Sequence, residues 1–322
     1  MRKSACQFFC YVLAALAVAA AASAQPYPNK PVRLIVPYAP GGGTDILARL
    51  MAQRLTESLG QAVVIENRAG ADGIVGSGLV AKAPADGYTM LLASSSHAIN
   101  PTVHAKIPYD TLKEFACVSQ TASQQLVLVV HPSLPVNSVS ELIAYAMANP
   151  DTLDFASSSK ATQLPMELFN TMAGIRMTHI PYKGSGPALN DLVGGQVKVS
   201  FGGAVSFTPH IKSGRLRALA IGDSKRSAFL PDLPTAAEAG VPGYEATIWT
   251  GLYVPVATPR EIVKRLNADV AKIVHLPEIK ERLQAQGSDP VGSSPEECDA
   301  FMKSEVAKWA KVAKDAGIKP EG

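Results

Sequence analysis

The run Pro37-Tyr38-Ala39-Pro40-Gly41-Gly42-Gly43-Thr44-Asp45 holds the residues of this chain best suited to bind an anion. Three successive glycines let the backbone bend through positive φ and let a ligand approach without meeting a Cβ. An apolar stretch, residues 32–36, precedes the run, and a helix-spaced stretch starting near Ile46 follows it. A strand-to-helix turn in that setting presents first-turn N–H groups that have no partner inside the helix, and an oxyanion is their natural guest. Gly42, Gly43 and Thr44 are the expected amide donors, and Ala39 opens the loop. Asp45 carries the wrong charge to hold an anion, so it is expected to N-cap the helix or to fix a bridging water. The same residues also read as an ordinary βα turn with Asp45 as its cap, and the turn alone does not choose.

Hydroxyl groups gather at two further places of the same kind. Ser94, Ser95 and Ser96 follow the apolar residues 89–93, with His97 and Asn100 just beyond, and Ser157, Ser158, Ser159 and Thr162 follow residues 153–156. Ligands in open α/β sheets sit beyond the carboxyl ends of the strands, so Ser94 and Ser95 become candidate contacts, with Ser157, Ser158, Ser159 and Thr162 on a second wall. Serine runs serve equally well as loop and cap residues. Gly202, Gly203 and Ala204 beside Phe201 and Phe207 would leave room for a flat guest, which adds an aromatic carboxylate to the candidate ligands and Gly203 to the candidate contacts.

Several chemistries fit badly. Strand, glycine turn, helix and a second strand ending in Glu66 imitate a dinucleotide-binding unit, but the glycines do not follow G-x-G-x-x-G and Asp45 would oppose a pyrophosphate. No Gly-Lys-Ser/Thr follows for a phosphate loop, and no G-x-S-x-G elbow supports a hydrolase. A secreted α/β enzyme acting on carboxylates, dinucleotide-dependent or hydrolytic, therefore stands as the alternative, and no cofactor is expected. The six histidines show no metal-ligand spacing. A formal net charge of +3 gives no electrostatic case for nucleic acid.

The elements that must position these groups alternate. Strands are expected at residues 32–38, 62–66, 89–93, 126–130, 153–156, 177–180, 197–201, 216–221 and 246–254. Helices are expected from Ile46 to a stop at Gly60, and at 138–148 with Ser138 as cap, 165–173, 187–193, 262–274 and 295–316. The pattern is α/β with largely parallel sheets. Ahead of it stand Arg2, Lys3, an alanine-rich apolar run and Ala22-Ser23-Ala24, the pattern of a secretory signal peptide over residues 1–24. Periplasmic export as a soluble, monomeric protein is expected. Cys117 and Cys298 are expected as two isolated buried thiols.

The segments Pro40-Gly41-Gly42 with Asp45, Glu66-Asn67-Arg68 with Gly70, Asp86-Gly87-Tyr88-Thr89, and Pro181-Tyr182-Lys183-Gly184 carry a resemblance that spans the mature chain. Gly186-Pro187-Ala188-Leu189, Arg215-Leu216-Arg217-Ala218, Leu233-Pro234-Thr235 and Ala239-Gly240-Val241-Pro242-Gly243-Tyr244 continue it. In order and spacing the chain resembles the tripartite tricarboxylate transporter substrate-binding proteins, the Bug family. The resemblance implies a type II periplasmic-binding-protein fold, in which two α/β lobes close about a hinge on a small carboxylate and deliver it to a two-component membrane permease. It implies a discontinuous first lobe, residues 25–122 and 249–322, and a second lobe, residues 123–248. It also implies a grip between the loop 39–45 and the loop 181–185, partly through water, which makes Tyr182, Lys183, Gly184 and Ser185 the second-lobe contacts. The family's glycine-rich turn and histidine are replaced here by the serines at 157–159 and by Gln163-Leu164, the place where specificity is expected to differ.

Overall fold

The computed structural model describes residues 27–182, 185–227, 230–285 and 287–321. The proposed signal peptide and two candidate contacts, Lys183 and Gly184, lie outside the described residues.

In chain order the elements are β1 (Val32–Val36), α1 (Gly43–Leu59), β2 (Val63–Asn67), α2 (Ile74–Ala81), β3 (Thr89–Ser94), α3 (Ser96–Val103), β4 (Phe115–Val130), α4 (Val139–Ala148) and β5 (Asp154–Ser157). There follow α5 (Lys160–Ala173), β6 (Thr178–Pro181), α6 (Ser185–Val193), β7 (Val199–Gly203), α7 (Ala204–Lys212), β8 (Arg217–Ile221), β9 (Thr247–Pro255), α8 (Arg260–Val274), α9 (Pro277–Ala285), β10 (Ser288–Pro290) and α10 (Pro295–Asp315). The strands run β2-β1-β3-β9-β4-β7-β5-β6, with β8 and β10 added on β4. Pairing is parallel among β1, β2 and β3 and among β5, β6 and β7, but antiparallel wherever β4 or β9 takes part.

The long strand β4 organises the molecule. Its residues up to Gln125 pair with β9, while Leu126 to Val130 pair with β7 and β8. Sequence periodicity finds only the apolar end of this strand. The rest, with Ser119, Thr121 and Gln125 buried, looks like a connection because it is polar. Those polar groups are satisfied inside: Thr121 Oγ1 lies 2.7 Å from Thr250 Oγ1, and Ser119 Oγ donates to the Ser293 carbonyl at 2.9 Å.

Helix α1 buries Leu47, Met51, Leu55 and Leu59 against β1, β3 and β9, and Gly60 closes it in the left-handed conformation at φ 66°. Each of those large side chains contributes about 1.5–3 kcal/mol by leaving water. Ile46, expected on the same apolar face, is exposed instead. Ser138 caps α4 as expected, its Oγ accepting from the Glu141 N–H at 3.1 Å. Helix α2 escapes sequence reading because glycine is a poor helix former. Its Gly76 is there for clearance, since a Cβ would stand 2.7 Å from Pro37 Cβ and 2.8 Å from the Arg68 carbonyl.

Cys117 and Cys298 are not isolated thiols; they form a disulfide between β4 and α10, with Cα atoms 5.8 Å apart. The pairing is hidden in the sequence because the two lie 181 residues apart in the chain and meet only through the fold. Helix α10 then runs on from this anchor to place Trp309 and Val312 in the core built by β4, β5, β7, α4 and α5.

Candidate ligand-binding site

The glycine turn starts its helix three residues earlier than the sequence suggests, at Gly43. Asp45 is consequently not the N-cap; extended Gly42 holds that position, with φ −76°, ψ 164° and no side-chain cap bond. From the first turn the buried Asp45 carboxylate reaches back to accept from the Gly41 N–H at 2.9 Å, from Arg49 Nε at 3.0 Å and from Asn67 Nδ2 at 2.9 Å. Asn67 also donates to the Tyr38 carbonyl at 3.1 Å. Burial raises the Asp45 pKa, but the bonds from Arg49, Gly41 and Asn67 outweigh it and hold the carboxyl below its usual range. Asp45 therefore shapes the loop from behind. The first amide that bonds within the helix is that of Ile46, to the Gly42 carbonyl at 3.0 Å. The N–H groups of Gly43 and Thr44 precede it at the positive end of the helix, on a cavity wall. Ala39 is exposed and is not part of that wall.

Beyond β3, Ser94 and Ser96 line the same cavity. Ser94 Oγ lies 2.7 Å from Tyr38 OH, which also accepts from the Ser94 N–H at 3.0 Å. Ser95 does not join them. It is 1% exposed, its N–H donates to the Trp249 carbonyl, and its hydroxyl turns into the interior. The turn into α3 makes consecutive residues diverge, so one serine of the run is lost to the core. His97 is a core residue too, ringed by Tyr109, Phe115 and Tyr253, and burial pushes its pKa down to about 3.

On the other wall Ser158 and Ser159 precede α5, Ser185 opens α6, and Gly203 precedes α7. Three helix N-termini thus meet at one cavity. Ser185 Oγ donates to Ser158 Oγ at 3.3 Å. Thr162 lines the cavity, but its Oγ1 already accepts from the Ser158 and Ser159 amides at 3.0 and 3.2 Å, so its work is to set the helix start. Ser157 lies behind the wall, 4% exposed, with Oγ 2.7 Å from His179 Nε2. Tyr182 directs its hydroxyl to Asp191 at 2.9 Å and stands outside the cavity. Burial and the Asp191 contact push its phenol up to about 12.

Part of the room expected beside Gly202 is taken. A Cβ there would meet the Phe207 ring at 2.6 Å and Phe201 stacks on Tyr244, yet Phe201, Gly202, Gly203 and Phe207 all line a cavity on this wall. Small residues admit a neighbour as readily as a ligand, and sequence does not say which.

The two walls belong to one cleft. A cavity of about 450 Å³ on the α1 side and one of about 200 Å³ on the α5–α7 side share Gln124, Ser159, Ser185 and Ile248. Gln124 and Ile248 sit opposite each other in the β4–β9 register, where both strands pass from one half of the sheet to the other. Sequence reading misses these two, together with Trp249, because nothing local distinguishes them. Only the crossing of two distant strands puts them on the cleft floor. Among the described residues no group of three His, Cys, Asp or Glu side chains is placed to hold a metal ion. No described helix is long and apolar enough to cross a membrane.

A mixed α/β sheet in two halves, with an interlobe cleft at the strand ends and helix N-termini on both sides, is the architecture of a two-lobe solute-binding receptor. Residues 47–318 match the model of the tripartite tricarboxylate transporter family receptor, and the chain belongs to that family. It is 41% identical over 311 residues to protein BugT of Bordetella pertussis, covering 95% of each chain. Among solved structures it is similar to a Rhodopseudomonas palustris protein with adipate, at 41% identity and a TM-score of 0.78, covering 92% of this chain and 100% of that one. It is also similar to MatC of the same organism with bound malate, at 32% identity and a TM-score of 0.74, covering 89% and 99%. Family members are periplasmic receptors that serve a transporter.

Proposed function

We propose that this protein is a periplasmic receptor that captures a small organic carboxylate and passes it to the permease subunits of a tripartite tricarboxylate transporter without performing chemistry. One observation carries the reading: a single cleft has the Gly43 and Thr44 amides on one wall and, opposite, the Ser158, Ser159 and Ser185 hydroxyls at converging helix N-termini. Both walls favour negative charge through backbone dipoles. The adipate and malate held by two relatives suit such a cleft, since each carries a carboxylate at either end. Di- and tricarboxylates are therefore favoured, and an aromatic carboxylate stays a candidate because Phe201, Gly202, Gly203 and Phe207 line the second cavity.

The lobes proposed are residues 25–122 with 249–322, and 123–248. The change of β4 partners between Gln125 and Leu126 and the start of β9 at Thr247 support crossings at those places. Residues 1–24 are proposed as the export signal, and the released protein as a monomer. Binding closes the lobes because the ligand meets both walls only in the closed form. Thermal-shift screening of the exported protein against citrate, C4 to C6 dicarboxylates, acidic amino acids and benzene carboxylates tests the proposal. A rise in Tm with a carboxylate supports it, and a rise with neutral sugars or amines alone refutes it.

A further inference from the structure

Between β2 and α2 the chain makes a turn whose four residues, Gly70, Ala71, Asp72 and Gly73, all have positive φ. Two of them are not glycine: Ala71 at 45° and Asp72 at 51°. Such backbone is uncommon for side-chain-bearing residues, though Asp adopts it more readily than most, and outliers of this kind cluster at functional sites. The surroundings here are explicit. Asn100 Nδ2 donates to the Asp72 carbonyl at 3.1 Å, and a Cβ on Gly73 would touch the Tyr38 ring at 3.2 Å. The turn is wedged, and what it presents is Asp72 on the wall of the ligand cavity, alongside Thr44, Ser94 and Ser96.

The charge of Asp72 is out of keeping with an anion site. Among the described residues lining the two cavities, Asp45 and Asp72 are the charged ones. Asp45 is 2% exposed and its charge is met by Arg49. Asp72 keeps half its side chain exposed, with Oδ2 3.5 Å from His104 Nε2, a contact that becomes an ion pair only when that imidazole carries a proton. Because Asp72 also lines the cavity, its carboxylate has acceptor capacity left to offer a ligand. A plain dicarboxylate would meet repulsion there, whereas a ligand with a donor next to its carboxylate would meet a charged acceptor.

We propose that Asp72 is a specificity-determining residue that accepts a hydrogen bond from a hydroxyl or ammonium group on the carbon next to the carboxylate held by the Gly43 and Thr44 amides. The preferred ligands are then 2-hydroxy and 2-amino acids rather than unsubstituted dicarboxylates. This rests on the carboxylate-receptor reading above. A hydrogen bond to a charged group is worth roughly ten- to hundredfold in binding, and a site built for a donor rejects the analogue that lacks it.

The test is calorimetric titration of the exported protein with matched pairs, malate against succinate and glutamate against glutarate, for the wild type, D72N and D72G. Asparagine and glycine both accept the left-handed backbone, so both variants should fold, which circular dichroism and Tm check. The wild type is expected to prefer the donor-bearing member of at least one pair by roughly tenfold or more. Either variant should bring that ratio near unity, weakening malate or glutamate and tightening succinate or glutarate. An unsubstituted acid bound as tightly as its partner by the wild type, or an unchanged ratio in folded D72N and D72G, overturns the role of Asp72 and leaves the receptor reading intact. Binding of no carboxylate by the wild type overturns both.

Discussion

At the residue scale the proposed site depends on backbone atoms that side chains keep in place. A Cβ on Gly43 would meet nothing within 4 Å, and one on Gly42 would meet only the Ala39 carbonyl at 3.9 Å, so a side chain at either position would project into open space at the cleft. G43V should therefore leave Tm nearly unchanged while weakening carboxylate binding more than about tenfold, as branched bulk covers the amides; calorimetry and a melting curve read the two effects separately. Asp45 should behave in the opposite manner. D45A leaves the Gly41 and Asn67 donors without their acceptor and should cost about 1–3 kcal/mol in urea unfolding. Because its folded pKa is lowered, the Asp45 contribution is present above the unfolded value near 3.9 and is lost as pH falls through the folded one. D45N should flatten that acid limb. His97 gives a second pH signature: held neutral down to about pH 3 in the fold, it binds a proton only in the unfolded chain between about 6.5 and that value. Stability should fall as pH drops across this window, and H97F should remove part of the slope, the half-buried His179 supplying another part. The glycine turn is legible as a candidate site because its chemistry is local. Ser95, Ser157 and Tyr182 fall elsewhere than expected because residue type does not reveal which way a side chain turns at a strand end.

Elements with one clean period are easy to find. Helix α1, with its buried stripe and left-handed Gly60, and helix α4, with its serine cap, follow directly from spacing and end signals. Helix α2 and most of β4 escape such reading. One is rich in glycine kept for close packing, and the other mixes polar residues into a strand buried by its neighbours. The disulfide from β4 to α10 is equally invisible, since pairing over such a separation is a property of the fold. Replacing both cysteines with serine should lower stability by about 2–4 kcal/mol in urea unfolding. Part of that loss should show as loosening of α10, whose buried Glu305 accepts from both Trp249 Nε1 and Trp309 Nε1 at 2.9 Å. These are the two tryptophans of the chain, so intrinsic fluorescence reports the change.

For the whole molecule, the alternation of strands and helices implies α/β, and the order of short motifs implies the receptor family that the fold and its relatives bear out. What the sequence withholds is the way β4 and β9 cross side by side and place Gln124 and Ile248 beneath a cleft assembled from both halves. That crossing is the structural ground for the lobe closure proposed above. Small-angle scattering of the exported protein should show a smaller radius of gyration when a bound carboxylate saturates it. Calorimetric titration of the wild-type protein with citrate, malate, succinate, adipate, glutamate and benzene carboxylates, alongside neutral sugars and amines, tests the central claim most directly. Saturable binding of at least one carboxylate, with none for the sugars and amines, is the predicted result; saturable binding of a sugar or an amine with no carboxylate bound would contradict it.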